Sequence, residues 1–261
     1  MKRPLIIAHR GANRFATENT IPAFLKAREI GCDGVEFDVR LTKDNRVVVF
    51  HDEDLRRLFR IDEYTKDISY ENLRKITDDK IPLLSDVLRV VKDMKLINIE
   101  LKIDGRFSGI LEEMVLKTVD SFDIYDRVLF SSFNPLSIGI IKKLRKRARI
   151  GFLFDKDAFY RELGAIIASF MGCESVNPQF KILNDFMMRH YREWGLKVFT
   201  WTADRKDDIR EMMRLGVDGI ITNRPESALK IRPQKIKDKS PELNPDFWED
   251  ENLCSSQTEE R

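Results

Sequence analysis

Residues 34–55 read GVEFDVRLTKDNRVVVFHDEDL. Their first part, 35–42, alternates apolar and polar residues and is rich in β-branched and aromatic types, the pattern of a strand. Side chains of a strand repeat every two residues, so Glu36, Asp38 and Arg40 share one face. Asp44-Asn45 is expected to form a two-residue hairpin turn into a return strand at 47–50. With that turn Arg46 pairs with Lys43, Val49 with Arg40 and His51 with Asp38. Directly opposite residues stand about 4.5–5.5 Å apart at Cβ. This register gathers Glu36, Asp38 and His51: two carboxylates for a hard cation, with an imidazole beside them. A solvated hairpin face carrying a stray histidine has the same local pattern, and the rest of the chain separates the two.

Around this stretch, short apolar runs alternate with helical patterns from end to end. Strands are expected at 5–8, 35–42, 96–102, 128–133, 150–154, 174–177, 197–202 and 219–222. Thr20 is expected to cap a helix running to Ile30, with Pro22 in its first turn and Gly31 as its stop. Further helices are expected at 70–76, 85–95, 108–121, 135–146, 159–170, 185–194 and 206–215, with a short one after Pro225. Setting the return strand aside, that is eight strands, nearly all followed by helices. Near-continuous apolar strands in repeated βα units argue for a parallel sheet covered on both faces. The fold class is therefore α/β, a (β/α)8 TIM barrel with a short β-hairpin and insertion after strand 2. A doubly wound open sheet is the runner-up. The barrel is expected over 1–232, with 52–82 as a small insertion over its mouth, and 233–261 as a polar tail that either is disordered or docks through Phe247 and Trp248.

A barrel of this class takes about 250 residues as one domain, which suits a chain of 261. The hydrophobic fraction of 42% is that of an ordinary soluble protein, and a net charge of +2 gives no global argument for nucleic acid or a membrane surface. The basic run Lys142, Lys143, Arg145, Lys146 and Arg147 has no interleaved aromatic residues and reads as a solvated helix face. Cys32, Cys173 and Cys254 form no CxxC pair and are expected as free thiols in a reducing compartment. No apolar run approaches the ~20 residues of a membrane span. The first residues lack the apolar length and cleavage site of a signal peptide. Cytoplasmic placement, without integral membrane association, is the expectation; the oligomeric state is left open.

Barrel chemistry sits where strands end. The first strand ends in His9-Arg10. The second carries Glu36 and Asp38, with His51 returned beside it. The third carries Asn98, Glu100 and Lys102 on one face, the fourth ends in Ser131 to Asn134, the seventh carries Trp201, and the eighth ends in Thr222-Asn223. His190 falls mid-helix and reads as structural or exposed. A set of carboxylates alone, Glu36, Asp38 and Glu100, suits one hard divalent cation, Mg²⁺ or Ca²⁺, better than zinc. Adding the cations Arg10 and Lys102 and two histidines suggests an anionic small-molecule substrate, with phosphate the best fit. Lys102 could simply neutralise the acids, Glu100 could be an interior ion-pair partner and Trp201 could be packing. Their coincidence at the ends of one barrel argues against all three at once.

HRGANRFATENTIPAF followed by GCDGVEFDVRLTKDNRVVVFHD resembles the signature of the glycerophosphodiester phosphodiesterases, members of the phospholipase-C-like barrel superfamily. The resemblance continues through DISYENLRKI, IPLLSDVL, NIELK, VLFSSFNP, VNPQF, VFTWTAD and GVDGIITNRP, and covers residues 5–231. It implies that His9 and His51 are a catalytic acid/base pair and that Glu36, Asp38 and Glu100 bind the metal. Arg10 and Lys102 would hold the phosphate, Phe133 and Trp201 would shape the substrate pocket, and Glu18 and Asn19 would belong to the rim or second layer of the site. Thr17 stands where the family usually has proline, and Asn45 where it has a turn glycine, although Asn also tolerates φ > 0. The run LRRLFRIDE after His51 departs from the family's usual Arg-Thr-Thr-like run, which bears on substrate preference.

The resemblance implies metal-dependent hydrolysis of a glycerophosphodiester to sn-glycerol 3-phosphate and an alcohol; the charge balance and the bare basic run give the expectation of no nucleic-acid partner. It leaves open which histidine is acid and which base, and whether water or the glycerol 2-hydroxyl attacks. One alternative is a lysophospholipase D-like phosphodiesterase with an apolar groove at the mouth lined by Phe59, Tyr64 and Phe133. A more distant one is a non-catalytic barrel that binds phosphodiesters.

Overall fold

The computed structural model describes residues 3–103, 109–158 and 163–233. Its strands are β1 (Leu5–His9), β2 (Gly34–Leu41), β3 (Val47–Val49), β4 (Leu96–Leu101), β5 (Val128–Ser132), β6 (Arg149–Phe154), β7 (Ser175–Pro178), β8 (Lys197–Thr200) and β9 (Gly219–Thr222). The helices are α1 (Ile21–Ile30), α2 (Arg56–Phe59), α3 (Tyr70–Thr77), α4 (Leu84–Val91), α5 (Ile110–Asp120), α6 (Pro135–Leu144), α7 (Gly164–Phe170), α8 (Asp185–Glu193), α9 (Lys206–Leu215) and α10 (Pro225–Ile231).

The sheet runs in the order β1-β9-β8-β7-β6-β5-β4-β2-β3, and β1 also pairs with β2. That last pairing is parallel, through Ile7 with Gly34 and His9 with Glu36, so eight parallel strands close on themselves as a TIM barrel. Closure rules out the open sheet. β3 is bonded to β2 outside the ring, in antiparallel sense.

Strand alternation explains why this sequence closes. Val35, Phe37 and Val39 face outwards into the main apolar core between sheet and helices. Each fully buried side chain of this kind contributes about 1.5–3 kcal/mol. Phe37 meets Phe24 of α1 edge-on, with ring centroids 5.4 Å apart. The intervening Glu36, Asp38 and Arg40 face the lumen, where a solvated sheet would have its water. Ile7, Leu96, Leu129, Phe199 and Ile221 close the barrel with a separate apolar plug. A hydrogen-bonded polar set accompanies it: Asn98 Nδ2 donates to Ser131 Oγ at 2.7 Å, and Ser175 Oγ to Asn177 Oδ1 at 2.8 Å. Gly151 makes room for this set, since a Cβ there would lie 2.5 Å from Asn177 Oδ1 and 2.7 Å from Ser175 Oγ.

The hairpin differs from the expected register by one residue. Val39 pairs with Val49, Arg40 with Val48 and Leu41 with Val47. The loop is three residues, 43–45, closed by Thr42 N donating to Arg46 O at 3.0 Å. Asn45 takes the left-handed conformation (φ 56°) that ends such loops. A one-residue slip turns every side chain to the other face, so in a continued ladder His51 would point away from Asp38. It does not, because the regular ladder stops at Val49. Phe50 N still donates to Asp38 O at 3.0 Å, the chain then bends, and Arg40 Nε donates to His51 O at 2.9 Å.

Beyond His51 the chain forms α2, a 3-10 turn at Thr65–Asp67 and α3. These pack on a small core of Val48, Phe50, Leu55, Ile68, Leu73 and Ile81. Thr20 does not cap α1 through its side chain; its Oγ1 donates back to Thr17 O at 2.6 Å. The basic run is exposed from Lys143 to Arg147, as a solvated face would be, with Arg145 Nη2 donating to Asp120 Oδ2 at 2.5 Å and the Arg147 guanidinium 4.6 Å from the Tyr125 ring centre. Cys32 and Cys173 are free, and burial pushes both thiols up to about 12. Among the described residues no helix is long and apolar enough to cross a membrane. The start of the helix expected at 159–170, Ser108, Cys254 and residues 234–261 lie outside the described residues.

Candidate active site

Three buried carboxylates define the centre. Glu36 and Asp38 rise from β2 and Glu100 from the adjacent β4, where Asp38 pairs with Glu100. Each offers an oxygen, and these atoms lie within 4.8 Å of one another. Burial, reinforced by the neighbouring Asp38, drives the Glu36 carboxyl well above the usual range. Glu100 is also driven up by burial, against the pull of Lys102. Asp38 behaves oppositely: burial opposes its charge, but Lys102 and Arg10 outweigh it and hold it ionised.

Those two cations are tied to the acids. Lys102 Nζ lies 3.2 Å from Asp38 Oδ1 and in contact with Glu100 Oε1. Arg10 Nε lies 3.3 Å from Asp38 Oδ2. The Arg10 backbone is left-handed (φ 54°), which turns its N–H onto Glu36 O at 2.7 Å and Glu36 Oε2 at 3.2 Å. Asn19 Nδ2 donates to Asp38 Oδ2 at 3.1 Å, and Glu18 Oε1 accepts from Arg10 Nη1 at 2.8 Å. Fully ionised, three carboxylates against two cations leave one negative charge buried without a partner charge. A divalent cation would reverse that balance and suit an anionic substrate, so the residues present fit a hard, oxygen-ligated ion.

The histidines flank this cluster. His9 Nδ1 faces Asn223 Oδ1 at 2.7 Å. Asn223 Nδ2 donates to Asp204 Oδ2 at 2.7 Å, and its backbone N–H donates to Asp204 Oδ1 at 2.8 Å. With the amide oriented this way, Nδ1 of His9 carries the proton and Nε2 is the accepting nitrogen. That Nε2 lies 3.8 Å from Glu36 Oε2. Burial, then the nearby Arg10, lowers the His9 pKa. His51 Nδ1 donates to Asp52 Oδ1 at 2.7 Å, which leaves its Nε2 free. Burial lowers His51 too, while Asp38 and Asp52 work to keep its proton on.

At the rim, Phe133 and Trp201 meet edge-on at 5.5 Å, and Lys102 Nζ lies 5.7 Å from the Phe133 ring centre. Trp201 Nε1 donates to Asn177 O at 2.8 Å. An open cleft of about 640 Å³ adjoins His51, lined by Arg40, Asp52, Glu53, Arg56 and Arg57 among others. The structure thus brings His9, Arg10, Glu18, Asn19, Glu36, Asp38, His51, Glu100 and Lys102 into one connected network. It does not bring Phe59 and Tyr64 to the mouth with Phe133. Phe59 packs on Phe50 at 6.1 Å within the insertion core, and Tyr64 sits between Arg56 and Lys66. Asp52, Asp204 and Arg57 were not singled out from the sequence, and Asn223 was named as a strand end without a role. The His-Asp dipeptide at 51–52 is the signal that could have found Asp52.

The profile of the Glycerophosphoryl diester phosphodiesterase family matches residues 9–227. The chain belongs to that family. It is 34% identical over 249 residues to the glycerophosphodiester phosphodiesterase of Caldanaerobacter subterraneus subsp. tengcongensis, covering 88% of this chain and 98% of that one. The crystal structure of the Thermotoga maritima glycerophosphodiester phosphodiesterase is 33% identical, covers 89% of this chain and all of its own, and superposes with a TM-score of 0.78. An Oleispira antarctica phosphodiesterase, solved in complex with the product sn-glycerol-3-phosphate, shares the fold at 22% identity and a TM-score of 0.78, covering 87% of this chain and 96% of that one. This member of the glycerophosphodiester phosphodiesterase family is an enzyme, a phosphodiesterase whose acidic cluster is compatible with a metal.

Proposed function

We propose that the protein hydrolyses glycerophosphodiesters to sn-glycerol 3-phosphate and an alcohol. One divalent cation, Mg²⁺ or Ca²⁺, would be held by Glu36, Asp38 and Glu100. The observation that carries this reading is the pair of histidines, each with Nδ1 engaged and Nε2 left for chemistry, flanking one buried acidic cluster. A module that only bound phosphodiesters would not need two such imidazoles. The product bound to the Oleispira antarctica relative supports the same product here.

His9 acts as the base. Its Nδ1 partner is a neutral amide, Asn223, and burial favours the uncharged ring. His51 acts as the acid, because its partner Asp52 is a carboxylate that stabilises an imidazolium. His9 Nε2 takes the proton of the attacking hydroxyl, and His51 Nε2 gives one to the leaving alcohol. Arg10 and Lys102 orient the phosphate. When bound, the cation supplies positive charge against the phosphoryl oxygens. The attacking hydroxyl belongs to water or to the glycerol 2-hydroxyl; a transient cyclic phosphate in a phosphorus NMR time course identifies the second. The cleft beside His51 is lined by charged side chains, which suits a polar leaving alcohol.

The test is the turnover of His9→Ala and His51→Ala with cation affinity measured alongside. Each substitution is expected to lower kcat by at least ~10² while cation binding stays near wild type. Wild-type turnover in either variant removes that histidine from the mechanism.

A further inference from the structure

His51 and Arg10 are held by different carboxylates, and those carboxylates share one partner. Asp52 uses Oδ1 for His51 and accepts from Arg57 Nε on Oδ2 at 2.6 Å. Glu18 accepts from Arg10 Nη1 at 2.8 Å, from Arg57 Nη1 on Oε2 at 3.2 Å, and from Arg57 Nη2 on Oε1. Arg57 therefore spends one edge of its planar fork on each arm of the site.

We propose that Arg57 is a positioning residue for the hydrolysis, a clamp from the insertion that sets His51 and Arg10 relative to each other through Asp52 and Glu18. The inference rests on the roles given above to those two residues. Packing does not explain why Arg57 stands here: α2 buries none of its residues, and the Arg57 side chain is 46% exposed. An exposed ion pair adds little to stability, but a carboxylate anchored on both oxygens has one orientation, and so does the imidazole bonded to it. Burial works against the charge of Glu18, and Arg57 and Arg10 together keep it ionised. Without Arg57, Glu18 has Arg10 alone and competes with the phosphate for it. Lysine cannot substitute, since a point charge does not span two carboxylates at fixed angles.

The experiment compares kcat and KM on glycerophosphoethanolamine and on glycerophospho-p-nitrophenol. The proteins are wild type, Arg57→Met, Arg57→Lys, Asp52→Asn, the Asp52→Asn/Arg57→Met double variant and His51→Ala, each checked by thermal melting. On the ethanolamine ester, Arg57→Met is expected to lower kcat roughly 10-fold or more and to raise KM. The p-nitrophenolate leaves without a proton, so kcat on that ester is expected to change less than about 3-fold. The double variant is expected to match Asp52→Asn in kcat, because Arg57 acts on His51 through Asp52. Arg57→Lys, which keeps the charge, is expected to fall short of wild type and carries the test should Arg57→Met not fold. Losses that multiply in the double variant, or wild-type kcat and KM in both Arg57 variants, overturn the clamp. An equal loss on both esters in His51→Ala instead overturns the assignment of His51 as acid, and the double variant still decides for or against the clamp.

Discussion

His9 Nδ1 lies 2.7 Å from Asn223 Oδ1, 214 positions further along the chain. The contact exists because β1 and β9 are neighbours in the closed barrel, paired through Ala8 and Thr222. Asp204 fixes the amide and the amide fixes the ring, so the nitrogen turned towards Glu36 is the one that can accept a proton.

Removing that orientation leaves the acids and cations in place. Asn223→Ala is expected to lower kcat about 10- to 100-fold, the usual effect of losing a group that orients a working histidine. Cation affinity should be unchanged. Isothermal titration beside steady-state kinetics checks both halves of the claim.

The pH profile follows from the same residue. Burial and Arg10 place the His9 pKa below the ordinary 6.5. A base must be unprotonated, so kcat/KM should fall on the acid side only below pH 6.5. The Asn223 bond raises the His9 pKa, so Asn223→Ala should move that limb to lower pH. An acid limb above 6.5 contradicts His9 as the base.

Without cation, the acidic cluster should make stability depend on pH. The folded-state pKa values of Glu36 and Glu100 lie above the ordinary 4.5. Between 4.5 and those raised values the native state binds more protons than the unfolded chain, so stability falls as pH rises. Asp38 has the opposite sign: its pKa is depressed below 3.8, so its contribution is present above 3.8 and lost in stronger acid. Below 6.5 the lowered pKa values of His9 and His51 act in the opposite sense, so the window that isolates the glutamates is pH 6.5 to 8: there melting curves in EDTA should show a declining Tm, and saturating Mg²⁺ or Ca²⁺ should reduce or reverse the decline.

Glu36→Gln should weaken the cation before it affects anything else, because it removes a charged oxygen and leaves the volume. An unchanged cation titration counts against Glu36 as a ligand. The same variant should flatten the pH dependence of the cation-free melting temperature.

Gly151→Ala should destabilise the barrel by about 1–3 kcal/mol, the usual cost of overpacking. Its new Cβ meets Asn177 Oδ1 and Ser175 Oγ closer than real contacts allow. Urea unfolding measures it; an unchanged midpoint means the polar set of Asn98, Ser131, Ser175 and Asn177 can shift at little cost.

Much of this was legible in the order of residues. Alternation in β2 separated Glu36, Asp38 and Arg40 from Val35, Phe37 and Val39, and eight strand-like runs with helices between them pointed to a barrel. The hairpin register is one residue off because Asp44-Asn45 also fits a two-residue turn, in which Asn45 is left-handed too; the bond from Thr42 N to Arg46 O is what makes the loop three residues long. The bend that brings His51 back depends on Arg40 holding its carbonyl, a contact that no local periodicity encodes. Asn223 was legible as a strand end but its partner was not: closure joins the first strand to the last, and only then does Asn223 meet His9. Phe59 looked available for a groove, but Phe50 and the insertion core claim it.

The most direct test is to incubate the purified protein with glycerophosphocholine, glycerophosphoethanolamine and glycerophosphoglycerol, each in EDTA, Mg²⁺ or Ca²⁺, and to assay glycerol 3-phosphate with a coupled dehydrogenase. Cation-dependent formation of glycerol 3-phosphate by wild type, lost in EDTA and lost in His9→Ala, is the expected result. No glycerol 3-phosphate from any ester with either cation, or equal amounts from wild type and His9→Ala, would contradict it.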